Sequence, residues 1–238
     1  MDTNYIIETK NLTKQYGSQK SVDGLTIHVK PGRIYGLLGR NGAGKTTTMK
    51  MLLSLTKPTS GEVKIWGKPL QGNEKELLPR IGSLIESPGF YPNLTGTENL
   101  GIFAALRGVS NQAVKDALDL VGLPYKDKKL FSQYSLGMKQ RLAIARAVLK
   151  NAPIYLFDDS FSALDFLTEA RLREELNTRM AGRTRIIITQ RVTSAMDSDC
   201  IFVMDRGRLV DSGRHQELLE RCTIYREIYA SQTGGERL

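Results

Sequence analysis

The residue types with the plainest chemical purpose stand together at Gly39-Arg40-Asn41-Gly42-Ala43-Gly44-Lys45-Thr46. The glycines let the chain turn tightly enough for main-chain N–H groups to converge on phosphate oxygens. Lys45 adds an ammonium for the outer phosphates, and Thr46 adds a hydroxyl for Mg²⁺. Gly39, Asn41, Gly42, Gly44, Lys45, Thr46 and the adjacent Thr47 are therefore candidate nucleotide-binding residues. Chemistry of this kind also needs a carboxylate at the end of a second strand. Ile154-Tyr155-Leu156-Phe157-Asp158 supplies one, and Asp158 would hold Mg²⁺ through water.

These groups need a scaffold. Ile34–Leu38 is a short apolar run suited to a buried strand, and a helical stretch over Thr46–Leu55 follows the glycine loop. Residues 5–9 and 25–29 alternate with period two and predict strands, as does Glu62–Trp66 after the turn at Pro58–Gly61. Leu100–Arg107, Asn111–Val121 and Met138–Lys150 have helical periodicity. Ile154–Phe157 and Arg185–Thr189 predict buried strands. Asp205-Arg206-Gly207 is a hairpin turn between Ile201–Met204 and Arg208–Val210, and Ser212–Leu219 opens a C-terminal helical region. The residues after Gln232 read as a frayed tail. Strands on both sides of a helix-rich middle predict an α/β core with a helical insert near residues 90–150.

Length and composition bound the rest. A chain of 238 residues, 40% hydrophobic and 25% charged, is one domain or one with a small attached subdomain, not a disordered chain. The longest nearly apolar run, Leu100–Leu106, is far short of the ~18–20 residues of a membrane span. Cys200 and Cys222 make neither a disulfide framework nor a metal set, and no secretory leader opens the chain, so a reducing cytoplasm is the expected setting. The net charge of +9 raises the question of nucleic acid, but it is spread along the chain and leaves no footprint of that kind. All 16 lysines lie at or before Lys150, whereas 12 arginines and no lysine follow it.

With the glycine loop and Asp158 goes a third segment, Tyr134-Ser135-Leu136-Gly137-Met138-Lys139-Gln140-Arg141. Together they make nearly the whole chain resemble the nucleotide-binding domain of an ATP-binding cassette (ABC) transporter. The third segment is similar to that family's signature motif, usually Leu-Ser-Gly-Gly-Gln. A Ser and a Gly at a helix N-terminus offer a hydroxyl, N–H groups and the helix dipole to an anion. The resemblance implies that Ser135, Gly137 and Gln140 meet ATP bound by an opposite subunit. It thus implies a head-to-tail dimer with two ATPs at its interface, homomeric or heteromeric. Tyr16 falls where an aromatic stacks on adenine, Ser162-Ala163-Leu164-Asp165 resembles the D-loop, and Ser87–Asn99 resembles the region that touches a membrane permease. The implied fold is a P-loop NTPase core of the ABC type with an N-terminal antiparallel β-subdomain and a helical subdomain insert. One ABC ATPase domain would span 1–238, with 1–93 and 151–238 as catalytic core and about 94–150 as the signature subdomain.

Three positions depart from the family pattern. Glu86 stands where a Mg²⁺- and water-binding Gln is usual, and a carboxylate can still serve a hard cation. Asp159 follows Asp158 where a general-base Glu is usual. Its carboxylate falls back by roughly 1 Å, a misplacement that can cost about 10²-fold in rate. Gln190 occupies the switch position usually held by His, and an amide can hydrogen-bond the γ-phosphate without exchanging charge with it. The resemblance therefore implies Asp159, Gln190 and Glu86 as catalytic positions, Thr46, Glu86 and Asp158 around Mg²⁺, and slow hydrolysis.

Residues 1–150 resemble the bacitracin- and lantibiotic-type branch, and 151–238 resemble the low-activity subunit of heterodimeric exporters. With the lysine boundary, this predicts a join of two origins near Lys150–Pro153. The leading functional expectation is a cytoplasmic ATP-binding subunit, peripheral to the inner face of the membrane, driving export of peptide antibiotics or drugs through a separate permease. A non-hydrolysing or chimeric nucleotide-binding module is the alternative. A nucleic-acid-associated ABC ATPase is the second, although no specific nucleic acid is expected.

Overall fold

A computed structural model describes residues 4–85 and 89–233. Glu86, Ser87 and Pro88 lie outside the described residues, as does the predicted tail beyond Thr233. The elements are, in chain order, strands β1 (Ile7–Tyr16), β2 (Gln19–Leu25), β3 (His28–Val29) and β4 (Ile34–Leu38), then helix α1 (Lys45–Leu52). Strands β5 (Ser60–Ile65) and β6 (Lys68–Pro69), helix α2 (Glu74–Leu77) and strand β7 (Ile81–Leu84) follow. The middle holds α3 (Gly96–Arg107), α4 (Asn111–Leu120) and α5 (Leu136–Val148), then β8 (Ile154–Asp158) and α6 (Phe166–Arg179). The chain ends through β9 (Thr184–Thr189), α7 (Val192–Ala195), β10 (Cys200–Asp205), β11 (Arg208–Gly213), α8 (His215–Arg221) and α9 (Thr223–Gln232). The architecture is mixed α/β.

The chain divides into two compact units, Met1–Arg80 with Thr184–Leu238, and Ile81–Arg183. In the first, β1 pairs antiparallel with β2, β3 and β5, and β5 with β6. A second set of strands runs in the order β11-β10-β4-β9, with β10 and β9 parallel to β4 and β11 antiparallel to β10. All six residues of β9 are buried, as are the inner four of β10 and the last four of β4. Their near-continuous apolar runs are those of parallel strands covered on both faces. Below the carboxyl end of β4 lies a core of Leu38, Val192, Val203, Leu218, Tyr225 and Ile228, which seats α7, α8 and α9.

The second unit sets helices against the parallel pair β7 and β8, in register from Ile81 opposite Ile154 to Leu84 opposite Phe157. Gly82 makes room there: a Cβ on it would stand 2.4 Å from the Tyr155 ring. Helix α3 opens with a capping box in which Thr95 Oγ1 accepts from Glu98 N at 3.2 Å and Glu98 Oε2 accepts from Thr95 N at 2.7 Å. It closes on Gly108 in the left-handed region at φ 63°. Ser110, Ser135 and Asp165 cap α4, α5 and α6 with their side chains.

The buried strand over Ile34–Leu38 and the helices starting at Asn111 and ending at Arg107 stand where the sequence predicts. The first strand runs on to Tyr16, beyond residue 9, through register shifts at Leu12–Lys14 and Lys14–Gln15 that break its alternation. The region 25–29 divides between the end of β2 and the short β3. Helix α1 stops at Leu52, short of Leu55, because Ser54 takes φ 55°, a left-handed conformation that ends a helix. The C-terminal helix starts at His215 because β11 extends through Gly213.

Candidate nucleotide site

Strand β4 delivers the chain to Gly39, which packs so closely on the neighbouring hairpin that a Cβ would stand 2.4 Å from the Met204 carbonyl oxygen. The loop then tips outward at the exposed Asn41 and Gly42 and returns through Gly44, at φ 97°, into α1. Any larger residue at 44 would meet the Ser21 carbonyl at 2.3 Å, so that position requires glycine twice over. No side chain caps α1. The first turn of a helix points its N–H groups out along the axis, so Thr46 and Thr47 carry donors fit for an anion. Lys45 is buried, and its Nζ donates to the carbonyls of Gly39 at 2.6 Å and Arg40 at 2.9 Å. These charge-assisted bonds hold the ammonium inside the curl of the loop.

Two further segments back this loop. Gly207, in the β10–β11 turn, donates to the Ala43 carbonyl at 3.1 Å and accepts from Asp23 N at 2.8 Å. Arg208 closes on Asp23 through Nη2 at 2.6 Å and Nε at 2.9 Å, and Lys20 adds a third contact at 2.8 Å. The Lys20 and Arg208 cations hold the Asp23 carboxyl below its usual range. The sequence marks Asp205-Arg206-Gly207 only as a hairpin turn. Its service as the wall of the phosphate loop has no local signal, because the partners are more than 150 residues apart.

Tyr16 closes β1 with its ring about half exposed, and Lys14 Nζ lies 4.9 Å from the ring centroid. Gln190 follows β9 directly and is exposed. Its main-chain carbonyl accepts from Gln232 Nε2 at 2.6 Å.

In the second unit, Asp158 ends β8 and Asp159 turns away from it in the left-handed region at φ 44°. Aspartate is one of the few L-residues that tolerates this conformation. The turn is tied down from within: Ser162 Oγ donates to the Asp159 carbonyl at 2.9 Å, and Gln140 Nε2 donates to the Ser160 carbonyl at 2.8 Å. Gln140 thus reaches the segment after Asp158 from the middle of α5, a contact that sequence spacing does not reveal. Ser135 Oγ accepts from Met138 N at 3.3 Å and caps α5. A Cβ on Gly137 would lie 3.7 Å from the Ala163 carbonyl, so the signature-like turn and the D-loop-like turn are neighbours. Asp165 caps α6 by accepting from Thr168 N at 3.0 Å, and the Thr168 contacts hold its carboxyl below the usual range.

The family model described as "ABC transporter" matches residues 22–162, a stretch containing the glycine loop, Ser135–Gln140 and Asp158–Ser162. The chain belongs to the ABC transporter family. This ABC chain is 46% identical over 231 residues to the bacitracin transport ATP-binding protein BcrA of Enterococcus faecalis, covering 95% of this chain and 75% of that protein. It is 45% identical over 230 residues to the BcrA of Bacillus licheniformis, again with 95% and 75% covered. Nod factor export ATP-binding protein I of Burkholderia orbicola (strain AU 1054) is 34% identical over 240 residues, with 97% and 79% covered. Among solved structures, a bacterial Atm1-family ABC exporter with ATP bound superposes with a TM-score of 0.88 at 29% identity. All of this chain is covered, and it spans 43% of the length of that exporter chain.

The chain is therefore an ATP-binding subunit of an ABC transporter, and the family's members are ATPases. Single relatives match 95% of the chain, across both sides of Lys150–Pro153, and they do not show the two-origin expectation. That stretch is also knit into this ABC fold: Tyr155 OH accepts from Ala152 N at 2.8 Å and donates to the Lys150 carbonyl at 3.2 Å.

Proposed function

We propose that the chain binds Mg-ATP through the loop 39–46, pairs head-to-tail with a second nucleotide-binding domain, and powers export through a separate permease. The observation that carries the reading is the loop itself, with buried Lys45 held inside its curl and α1 uncapped behind it. Thr46 and Asp158 offer hydroxyl and carboxylate oxygens, the donor chemistry Mg²⁺ prefers, and Glu86 would add a further carboxylate. Bound Mg²⁺ would draw charge from the phosphate oxygens. Lys45 would balance the outer phosphates, Gln190 would donate a hydrogen bond to the γ-phosphate, and Asp159 would take a proton from the attacking water. Tyr16, with its exposed ring, would stack on the adenine.

Pairing of two such domains is supported by the exposed apolar side chains Leu136, Phe166 and Leu167, which lie beside the signature-like and D-loop-like turns. In this arrangement Ser135 and Gly137 face the partner's ATP. Gln140, tied to Ser160, serves the same arrangement from within the subunit. Ser162 and Asp165 would lie at the crossing. The permease would dock on the loop before α3. Buried Asn99 fixes that loop by accepting from Tyr91 N at 2.8 Å and donating to Tyr91 O at 3.0 Å, while the Tyr91 side chain stays exposed. No helix among the described residues is long and apolar enough to cross a membrane, so attachment to the inner membrane face would come through the permease. The likeness to two bacitracin transport ATP-binding proteins favours peptide antibiotics as cargo.

Hydrolysis is proposed to be slow, because Asp159 is one methylene shorter than glutamate and sits in a left-handed turn. The test is ATPase rate against protein concentration, for the native chain and Asp159→Glu. The expected result is low native turnover whose specific rate rises with concentration, and a rise of about tenfold or more in the variant. Vigorous native turnover, or no gain in the variant, would overturn the slow-base account. A variant that binds ATP and stays inert would favour a non-hydrolysing, nucleotide-gated module, the reading that Asp159 and Gln190 together also support.

A further inference from the structure

The C-terminal helix reaches the switch position by an unusually specific contact. Gln232 ends α9, and its side-chain amide spans the main chain on either side of Arg191. Nε2 donates to the Gln190 carbonyl at 2.6 Å, while Oε1 accepts from Val192 N at 2.8 Å. The two contacts fix the amide's orientation, since only the nitrogen can donate and only the oxygen can accept. They are the pair of bonds a neighbouring strand would make to this segment, supplied here by one side chain. Next to them, Arg191 N donates to Thr189 Oγ1 at 3.0 Å, so the backbone is constrained from Thr189 to Val192.

The helix that bears Gln232 is itself firmly seated. Tyr225 and Ile228 are buried with Val192 and with Leu38, the residue just before Gly39. Glu227 pairs with Arg40 of the phosphate loop at 3.1 Å. One helix therefore touches both the loop that holds the phosphates and the strand end that carries Gln190. Exposed polar groups at a strand end can bond to water at no ordering cost. Holding them with a long glutamine instead requires freezing its rotamers. A constraint of that sort has a use where the adjacent side chain must be aimed.

We propose that Gln232 is a positioning residue for Gln190, fixing the backbone from which the Gln190 amide meets the terminal phosphate. The inference rests on the reading of Gln190 given above. It predicts that the preference for ATP over ADP depends on Gln232, although Gln232 touches no nucleotide.

The experiment measures the affinities of the full chain for fluorescent ATP and ADP analogues, with Mg²⁺, in the native protein, Gln190→Ala, Gln232→Ala and the double variant. Gln232→Ala should lower the ATP-over-ADP preference roughly three- to tenfold, as Gln190→Ala does, with ADP affinity unchanged. The double variant should lose no more than Gln190→Ala alone, because both act through one contact. Gln232→Glu provides a second variant if alanine impairs folding. It keeps the acceptor for Val192 N, sets a carboxylate against the Gln190 carbonyl, and should lower the preference as well. A preference that falls in Gln190→Ala but holds in both Gln232 variants overturns this inference alone, as do additive losses in the double variant. A preference insensitive to Gln190, or no nucleotide binding at all, overturns the underlying reading and the inference with it.

Discussion

Position 44 shows how narrowly the sequence is constrained in the glycine loop. Its φ of 97° excludes a comfortable L-residue, and the Ser21 carbonyl excludes a Cβ on steric grounds. A left-handed non-glycine residue alone costs about 1–3 kcal/mol, and the clash adds to it. Gly44→Ala should therefore lower the urea midpoint clearly and weaken ATP binding at the same time. An unchanged midpoint would show that the loop can rearrange, and that glycine there is not required by backbone geometry. Asp159 presents the opposite case, a non-glycine residue held left-handed by Ser162 and, one residue on, by Gln140. Its short side chain suits that backbone and is less suited to reaching a water. The same local choice thus accounts for both the turn and the proposed slow chemistry.

At the level of elements, caps decide where helices begin around the second unit's turns. Asp165 both starts α6 and lies in the D-loop-like segment, so its charge state links folding to that turn. Its carboxyl is held below the ordinary range by Thr168. A lowered folded-state value means the contribution is complete above the unfolded-chain pKa, about 3.9 for aspartate, and is lost as pH falls through the folded value. Asp165→Asn keeps an oxygen for the cap without the titration. The native protein should therefore have the higher urea midpoint at neutral pH, and the gap between the two midpoints should shrink as pH falls below about 3.9. A difference that persists unchanged at pH 3 would contradict an ionic cap.

Elements with strong local signals were readable in the sequence, and those specified by distant partners were not. The run Ile34–Leu38, the glycine spacing and the helix after it form one readable unit, because apolar burial, turn chemistry and phosphate chemistry fall on consecutive residues. Helix α6 is hidden because its buried face is only Glu169, Leu172 and Leu176 in an otherwise charged segment. Pairing of Glu169 with Arg173 at 3.0 Å supplies part of its order, and no hydrophobic pattern announces that. Strand β1 is hidden beyond Thr9 because its register shifts twice. The residues of the candidate site were readable by type. The supporting contacts made by Gly207, Gln140 and Gln232 were not, since each acts on a partner at least 20 residues away in the chain.

For the molecule as a whole, the net charge of +9 first raises the possibility of a polyanionic partner, and the fold answers it differently. Several arginines are spent on internal contacts: Arg208 on Asp23, Arg221 on Asp211, Arg179 on Asp119 and Glu175. In the proposed reading, phosphate recognition is left to buried Lys45 and to main-chain groups. The break in lysine usage after Lys150 falls in a stretch that single relatives span and that Tyr155 ties to Lys150 and Ala152.

The central claim is that Lys45 and its loop hold the phosphates of ATP. The most direct measurement is a Mg-ATP titration of the native chain and of Lys45→Ala, with circular dichroism to verify that both are folded. Loss of a charge-assisted contact worth about 2–3 kcal/mol predicts an affinity lower by roughly 30- to 150-fold in the variant, or no measurable binding. Equal affinity in two folded proteins would contradict the account.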